Sequence, residues 1–185
     1  RNGTIAPMHP QALLEACAEL IAQVMTFEHP ADSVVSRYFR EHRNLGPRER
    51  ATLAETVYAV LRKKTLFESL ARSGTGSRER RLAILGFHGS RSFLKSVLSD
   101  VENRWIDECD AVTPAELLPQ HRHNLPEWLV APLQAQVGDQ FDALAASMLD
   151  PAPLDLRANA LSTKRADLQK ELKQAGINAQ PTAYS

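Results

Sequence analysis

The residues best suited to chemistry in this chain are arginines and lysines concentrated in one stretch. Residues 37–95 hold 14 basic side chains against 5 acidic ones, whereas residues 101–185 hold 7 against 12, within a formal net charge of zero. Arginine forks fit phosphate oxygens and position a protein on a nucleic acid without reading its sequence. The densest group, for which we predict phosphate contact, is Arg37, Arg40, Arg43, Arg48, Arg50, Arg62, Lys63 and Lys64.

A plain solvated surface is the alternative explanation for these charges. Helical spacing would allow local ion pairs such as one between Arg37 and Glu41. The sequence also shows no exposed aromatic row on which successive bases could stack. The charge pattern alone therefore leaves a nucleic-acid surface and an ordinary solvated surface both open.

Residues that could support catalysis or metal binding are few. Cys17 and Cys109 are far apart without the spacing of a disulfide framework or a zinc site, and we predict core thiols. His121 and His123 lack acidic or cysteine companions, so we expect a solvated linker there. Gly74-Thr75-Gly76 lies between helices and is predicted to be a turn, not a phosphate-binding loop. We assign no catalytic residue, no cofactor site and no metal.

The elements that carry the basic residues are predicted to be helices. Residues 10–27 have apolar side chains three and four positions apart, which is typical of one helical face. Further helices are expected to begin at Pro30 and Pro47, the latter ending in Arg62-Lys63-Lys64. Ser77 is a candidate helix cap, and Thr113-Pro114-Ala115-Glu116 has the spacing of a capping box. The sequence thus predicts a mainly α fold.

The pattern changes after residue 118. Residues 119–125 are predicted to be a linker, followed by a helix that begins at Pro126 with Trp128 on its apolar face. Residues 154–159 alternate between apolar and polar, as a strand does, and a helix starting at Ser162 and stopping at Gly176 precedes a second expected strand from Ile177. The predicted domains are residues 1–118 and 126–185. A sheet this small is not expected to be stable alone, so we expect the chain to be cut inside or just after its second domain.

Five short stretches resemble a known family. Residues 27–32, 45–50 and 55–62 are similar to the all-helical NusB-type domain at the front of RsmB/Sun (Fmu)-type rRNA cytosine-C5 methyltransferases. Residues 125–129 and 153–159 resemble that family's next segment, which leads into a small RRM-like α/β subdomain. The likeness covers nearly the whole chain in the family's order. It implies a NusB-like helical bundle followed by the beginning of an RRM-like α/β subdomain.

The resemblance also implies a function. The full protein would use S-adenosylmethionine to methylate carbon 5 of a cytosine in small-subunit rRNA, with two loop cysteines in a Rossmann-like domain. Neither Cys17 nor Cys109 matches those motifs, so the catalytic domain is expected beyond Ser185, where this segment would brace it in cis. The segment itself is expected to bind and position rRNA without a cofactor or turnover of its own. NusB carries its arginine-rich RNA surface at the amino terminus, but residues 10–27 contain no Arg or Lys, which moves the expected surface to residues 37–64.

Two other functions follow from the same residues. The bundle would instead be a protein-interaction module of a ribosome or transcription assembly, which a salt-insensitive protein partner without RNA affinity would identify. A self-contained enzyme would need a cofactor site that the residues do not show. No run approaches the roughly 20 apolar residues that span a bilayer, and the chain does not open with a signal peptide. We therefore expect a cytoplasmic protein without a membrane or metal partner.

Overall fold

The computed structural model describes residues 8–152 and 154–182, which form helices and irregular segments with no β-strand among them, so the fold is mainly α. Two compact units divide the chain, the first ending at Leu149 and the second beginning at Asp150. The described residues also form short 3-10 turns. The α-helices, in chain order, are α1 (Pro10–Val24), α2 (Ala31–Glu41), α3 (Pro47–Arg62), α4 (Lys64–Leu70), α5 (Arg78–Gly86), α6 (Arg91–Lys95), α7 (Asp100–Ala111), α8 (Pro119–His123), α9 (Glu127–Val137), α10 (Phe141–Ser147) and α11 (Arg165–Gln174).

The core of the first unit is built around α1, which packs against α2, α3 and α5. Its predicted apolar face is buried, with Leu14, Cys17 and Leu20 fully enclosed. Because these residues recur three and four positions apart, one stripe of the helix meets all three neighbours. The predicted first helix is therefore confirmed, although it ends at Val24 instead of residue 27.

The helix α5 approaches α3 closely at Gly86. A Cβ at this position would lie 2.6 Å from the Cγ2 of Val60 and 3.2 Å from the carbonyl oxygen of Thr56. Both neighbours are fixed inside the core, so an added methyl group has to displace a helix. We expect Gly86→Ala to lower the free energy of unfolding by about 2 kcal/mol, even though alanine is the better helix former. Urea unfolding checks this, and unchanged or higher stability would contradict the close contact.

Apolar residues keep a helical spacing from Phe93 towards Cys109, which by itself indicates one helix, but the structure has two helices there. The interruption is a capping box in which the Glu102 backbone N–H donates to the Ser99 hydroxyl at 3.3 Å and the Ser99 N–H donates to the Glu102 carboxylate at 2.9 Å. The same device was expected at Thr113, where the backbone N–H does donate to the Glu116 carboxylate at 2.7 Å. Each box satisfies backbone groups that a helix end leaves unpaired.

The segment predicted as a linker, residues 119–125, is instead a packed element. It contains α8, which contacts α4 and α10. His123, expected to be solvated, is only 5% exposed and meets the Phe141 ring edge-on at 4.8 Å. Asn124 adopts a left-handed backbone with φ 52° and bonds to the end of α3 and the start of α4. These contacts join the segment to the first unit, and the structural division falls after Leu149.

Trp128 lies on the outer side of α9, not on its inner face as predicted, and is 74% exposed. Successive helical residues are about 100° apart, so the stripe through Leu129, Leu133 and Val137 turns its neighbour Trp128 away from the core. That stripe packs on a small apolar cluster formed by Leu125, Phe141 and Ala145.

The second unit holds α11 between two irregular segments, where strands were predicted for residues 154–159 and from Ile177. Neither strand forms among its described residues, and Leu154 and Leu156 are 85% and 58% exposed. Extended segments without a partner leave their backbone groups to water, which explains why the predicted strands are absent here.

Candidate nucleic-acid interface

The outer side of α2 carries the first of the predicted phosphate contacts. Val34, Val35 and Tyr38 face the core, which leaves Arg37 and Arg40 exposed on the opposite side. Residues three apart lie on the same face of a helix, one turn from each other. Arg43 follows in the connection to α3 and is also exposed.

These arginines are not neutralised by nearby carboxylates. The ion pair between Arg37 and Glu41 that helical spacing allows is not formed, and none of Arg37, Arg40 and Arg43 has an acidic partner within the part of the chain that the structure describes. Arg48, exposed in the first turn of α3, is in the same condition. We call Arg37, Arg40, Arg43 and Arg48 the α2–α3 cations.

Arg50 has a different environment. Its Nε donates to the Leu45 carbonyl oxygen at 3.0 Å, and its guanidinium lies 5.5 Å from the centroid of the Phe39 ring. A guanidinium over an aromatic face is held by the ring's electron density as well as by the hydrogen bond. Arg50 therefore ties the end of α2 to the start of α3 and is less available to a ligand than Arg48.

The remaining three predicted residues lie at the other end of α3. That helix has 16 residues and is about 24 Å long, so the expected single corner divides into two groups. Arg62 pairs with Glu55 at 4.0 Å and Lys64 with Glu68 at 2.8 Å, whereas Lys63 has no ion pair among the described side chains. Of these three described residues, Lys63 is therefore the one that adds an unpaired charge.

The five basic residues between positions 78 and 95 are engaged in structural contacts. Arg81 donates from one guanidinium nitrogen to the carbonyl oxygens of Ala71 and Gly74, at 2.6 and 2.8 Å. The others each pair with a carboxylate on a neighbouring element, an arrangement that leaves little charge for a ligand. These pairs are Arg78 with Glu68, Arg80 with Glu102, Arg91 with Asp110 and Lys95 with Asp107.

The most enclosed of these pairs predicts how stability depends on pH. Arg80 donates two hydrogen bonds to Glu102, at 2.6 and 3.3 Å, and the glutamate side chain is 12% exposed. The Arg80 hydrogen bonds lower the pKa of Glu102, with burial opposing and Ser99 assisting. A carboxyl group with a lowered pKa stabilises the fold above its ordinary value of 4.5 and loses that contribution as pH falls through the folded-state value.

We expect Glu102→Gln to lower the free energy of unfolding at pH 7 by roughly 1 kcal/mol. The loss should be smaller at pH 3, because that pH lies below the ordinary pKa of 4.5, where the lowered pKa of Glu102 no longer contributes its full stabilisation. Urea unfolding at the two pH values measures both. An equal loss at pH 7 and pH 3 would contradict the assigned role of the carboxylate charge.

Both thiols lie in surroundings that keep them protonated. Burial raises the pKa of Cys17 to about 12, and Cys17 is fully enclosed as expected of a core thiol. Burial, followed by the charges of Asp110 and Glu108, raises the pKa of the half-buried Cys109 to about 11. Because the thiolate is the nucleophile, neither cysteine is activated at neutral pH.

The structure also places two aromatic side chains where the sequence did not predict them. Phe27, expected at the end of the first helix, is 60% exposed with φ 56°. Pro30 restricts only the residue before it, His29, so this proline does not indicate that α1 ends as early as Val24. Trp128 is the second. Within residues 8–152 and 154–182 no group of three His, Cys, Asp or Glu side chains could hold a metal ion, and no helix has the length and hydrophobicity to cross a membrane.

Comparison with known proteins identifies one part of the chain. Residues 125–185, about a third of the sequence, match the family described as Methyltr_RsmF/B-like, ferredoxin-like domain. No curated protein and no solved structure matches the chain. The family match supports a segment of an rRNA methyltransferase. More narrowly, it supports a fragment of the RsmF/RsmB (Sun) type.

Proposed function

We propose that this chain is the RNA-positioning segment of an S-adenosylmethionine-dependent rRNA cytosine-C5 methyltransferase. The first unit, expected to be NusB-like, would contact small-subunit rRNA through the α2–α3 cations and Lys63. The catalytic domain would lie elsewhere in the same polypeptide, in the cytoplasm. The segment would hold the RNA substrate while that domain transfers the methyl group.

The observation that carries this proposal is the contrast between two sets of basic residues. Arg78, Arg80, Arg91 and Lys95 are paired with carboxylates, whereas the α2–α3 cations are exposed and unpaired among the described residues. Unpaired guanidinium groups keep their full charge for a polyanion, and releasing counterions from phosphates is the main source of such affinity. The match of residues 125–185 to a methyltransferase family supplies the kind of polyanion.

The residues themselves do not fit S-adenosylmethionine. In the described ranges no glycine-rich turn follows a strand, as the usual dinucleotide-type site requires. Gly74 is in contact distance of Trp105 and Arg81 within the fold and does not line an open loop for a ligand. We therefore assign this segment no step of methyl transfer and restrict its role to binding and orientation.

Binding of the chain to a fluorescent small-subunit rRNA fragment, measured by anisotropy over a salt series, tests the proposal. We expect measurable affinity at 50 mM salt and a linear fall of log affinity with log salt. Failure to bind the fragment at any salt concentration would overturn the proposal.

A second candidate function is a protein-interaction module. The outer face of α9 favours it, since Trp128, Ala131, Pro132 and Ala135 are all exposed and uncharged. Tryptophan is enriched at the centres of protein interfaces. A protein partner whose affinity is insensitive to salt, together with no RNA binding, would identify this function.

A further inference from the structure

A cleft beside the α2–α3 cations has the features of a binding site for a single flat ring. It lies between the start of α3 and the α5–α6 connection, with a volume of about 270 Å³. Drug-sized ligands occupy pockets of about 300–1,000 Å³, so this cleft suits a smaller group. The residues that line it and matter for recognition are Arg48, Glu49, Thr52, Phe87, Ser90 and Phe93.

The aromatic wall of the cleft is pre-formed. The rings of Phe87 and Phe93 are nearly parallel, with an interplanar angle of 13° and centroids 6.0 Å apart, and both are half-buried against the main core. Gly89 lets the backbone pass beside the wall, since a Cβ there would lie 2.6 Å from the Phe87 ring. A ring surface held in place by the core loses little entropy on binding a second ring.

The cleft is also lined by polar side chains, among them one positive charge, Arg48, and one negative charge, Glu49. Arg48 lines it while also belonging to the α2–α3 cations, and its guanidinium has no acidic partner among the described residues. Thr52 also lines the cleft, and the Glu49 carboxylate accepts from the Met8 backbone N–H at 3.3 Å. Hydrogen-bond donors and acceptors thus lie beside the aromatic wall, next to the α2–α3 cations.

We propose that this cleft binds an unpaired base of single-stranded RNA, whose phosphates run along the α2–α3 cations. The proposal rests on the proposed function, because the cations are what would bring an RNA strand to the cleft. Single-stranded RNA presents bases that can leave the strand and stack on aromatic side chains, whereas bases inside a duplex cannot. Arg48 would then contact the phosphate adjacent to the bound base. The bound segment is therefore an unpaired loop or end, not a double helix.

The test compares a single-stranded pyrimidine RNA ten nucleotides long with the same backbone carrying abasic residues, each bound to the full chain. Stacking of one base contributes on the order of tenfold in affinity, so the abasic strand should bind about ten times more weakly. Phe93→Leu keeps an apolar side chain on the core and should bring the affinity for the normal strand close to that for the abasic one. Phe27→Leu, which changes an exposed phenylalanine outside the cleft, is the matched control and should leave both affinities unchanged.

The possible outcomes distinguish the base-binding proposal from the proposed function on which it rests. Equal, salt-sensitive affinity for both strands would overturn the base site while leaving phosphate binding intact. A loss caused by Phe27→Leu and not by Phe93→Leu would also overturn it. No binding of either strand would overturn the proposed function and the base site together. If Phe93→Leu does not fold, the comparison of the two strands on the unchanged chain still decides.

Discussion

Replacing Arg37, Arg40 and Arg43 with alanine is expected to weaken binding of a small-subunit rRNA fragment about 100-fold at 0.1 M salt. Each phosphate contact on a single strand contributes about 0.7 to the slope of log affinity against log salt, so three contacts contribute about 2. The three residues are exposed and without acidic partners in the described part of the chain, so each charge is available to a phosphate. Fluorescence anisotropy with the labelled fragment measures the loss.

A second triple variant provides a control with the same change in net charge. Arg78, Arg91 and Lys95 also lie on the surface, but each is paired with a carboxylate of a neighbouring element. Changing these three to alanine should alter affinity by no more than about threefold, because exposed ion pairs leave little field for a ligand. Equal losses in the two triple variants would show that net charge alone determines binding, and no loss in the first would place the RNA elsewhere.

Replacing Asn124 with alanine is expected to lower the free energy of unfolding by about 3 kcal/mol. The Asn124 side chain accepts hydrogen bonds from the backbone N–H groups of Thr65 and Leu66, at 2.7 and 3.2 Å, and donates to the carbonyl oxygen of Arg62. These groups belong to the end of α3 and the start of α4, where helices leave backbone groups unpaired. Alanine would leave them unsatisfied and would also be strained in the left-handed conformation at φ 52°.

The variant Asn124→Gly distinguishes the loss of the hydrogen bonds from the strain of the left-handed backbone. Glycine adopts the left-handed conformation without a steric cost but cannot make the three hydrogen bonds, so its loss should be about 1 kcal/mol smaller than that of alanine. Urea unfolding gives the free energies, and hydrogen exchange reports the Thr65 and Leu66 amides directly. Wild-type stability in the alanine variant, with both amides still protected, would contradict the role assigned to this side chain.

Local sequence signals predicted the helices well. The apolar stripe of α1, the Ser77 cap, whose hydroxyl accepts from the Arg80 N–H at 3.2 Å, and the capping box at Thr113 all form as expected. The Ser99 box has the same spacing but was missed, because apolar residues continue at helical intervals on both sides of it. In the structure the local capping signal prevails over the longer apolar period.

Features that depend on distant residues could not be predicted in this way. The sequence shows where the positive charges are, but Arg91 and Asp110 are 19 positions apart, and only the packing of α6 against α7 brings them together. The residues predicted as a linker are held by bonds from Asn124 to Thr65, 59 positions away. Residues 154–159 alternate between apolar and polar, but the structure has no strand there, because a strand also requires a neighbouring strand.

The most direct test of an RNA-contacting role is ultraviolet crosslinking of the chain to a small-subunit rRNA fragment, with the crosslinked peptides identified by mass spectrometry. We expect crosslinks in peptides from residues 27–50, which carry the α2–α3 cations, and from residues 87–93 beside the cleft. Crosslinks found only in peptides from α7, or no crosslinks at a concentration where the fragment is bound, would contradict this role.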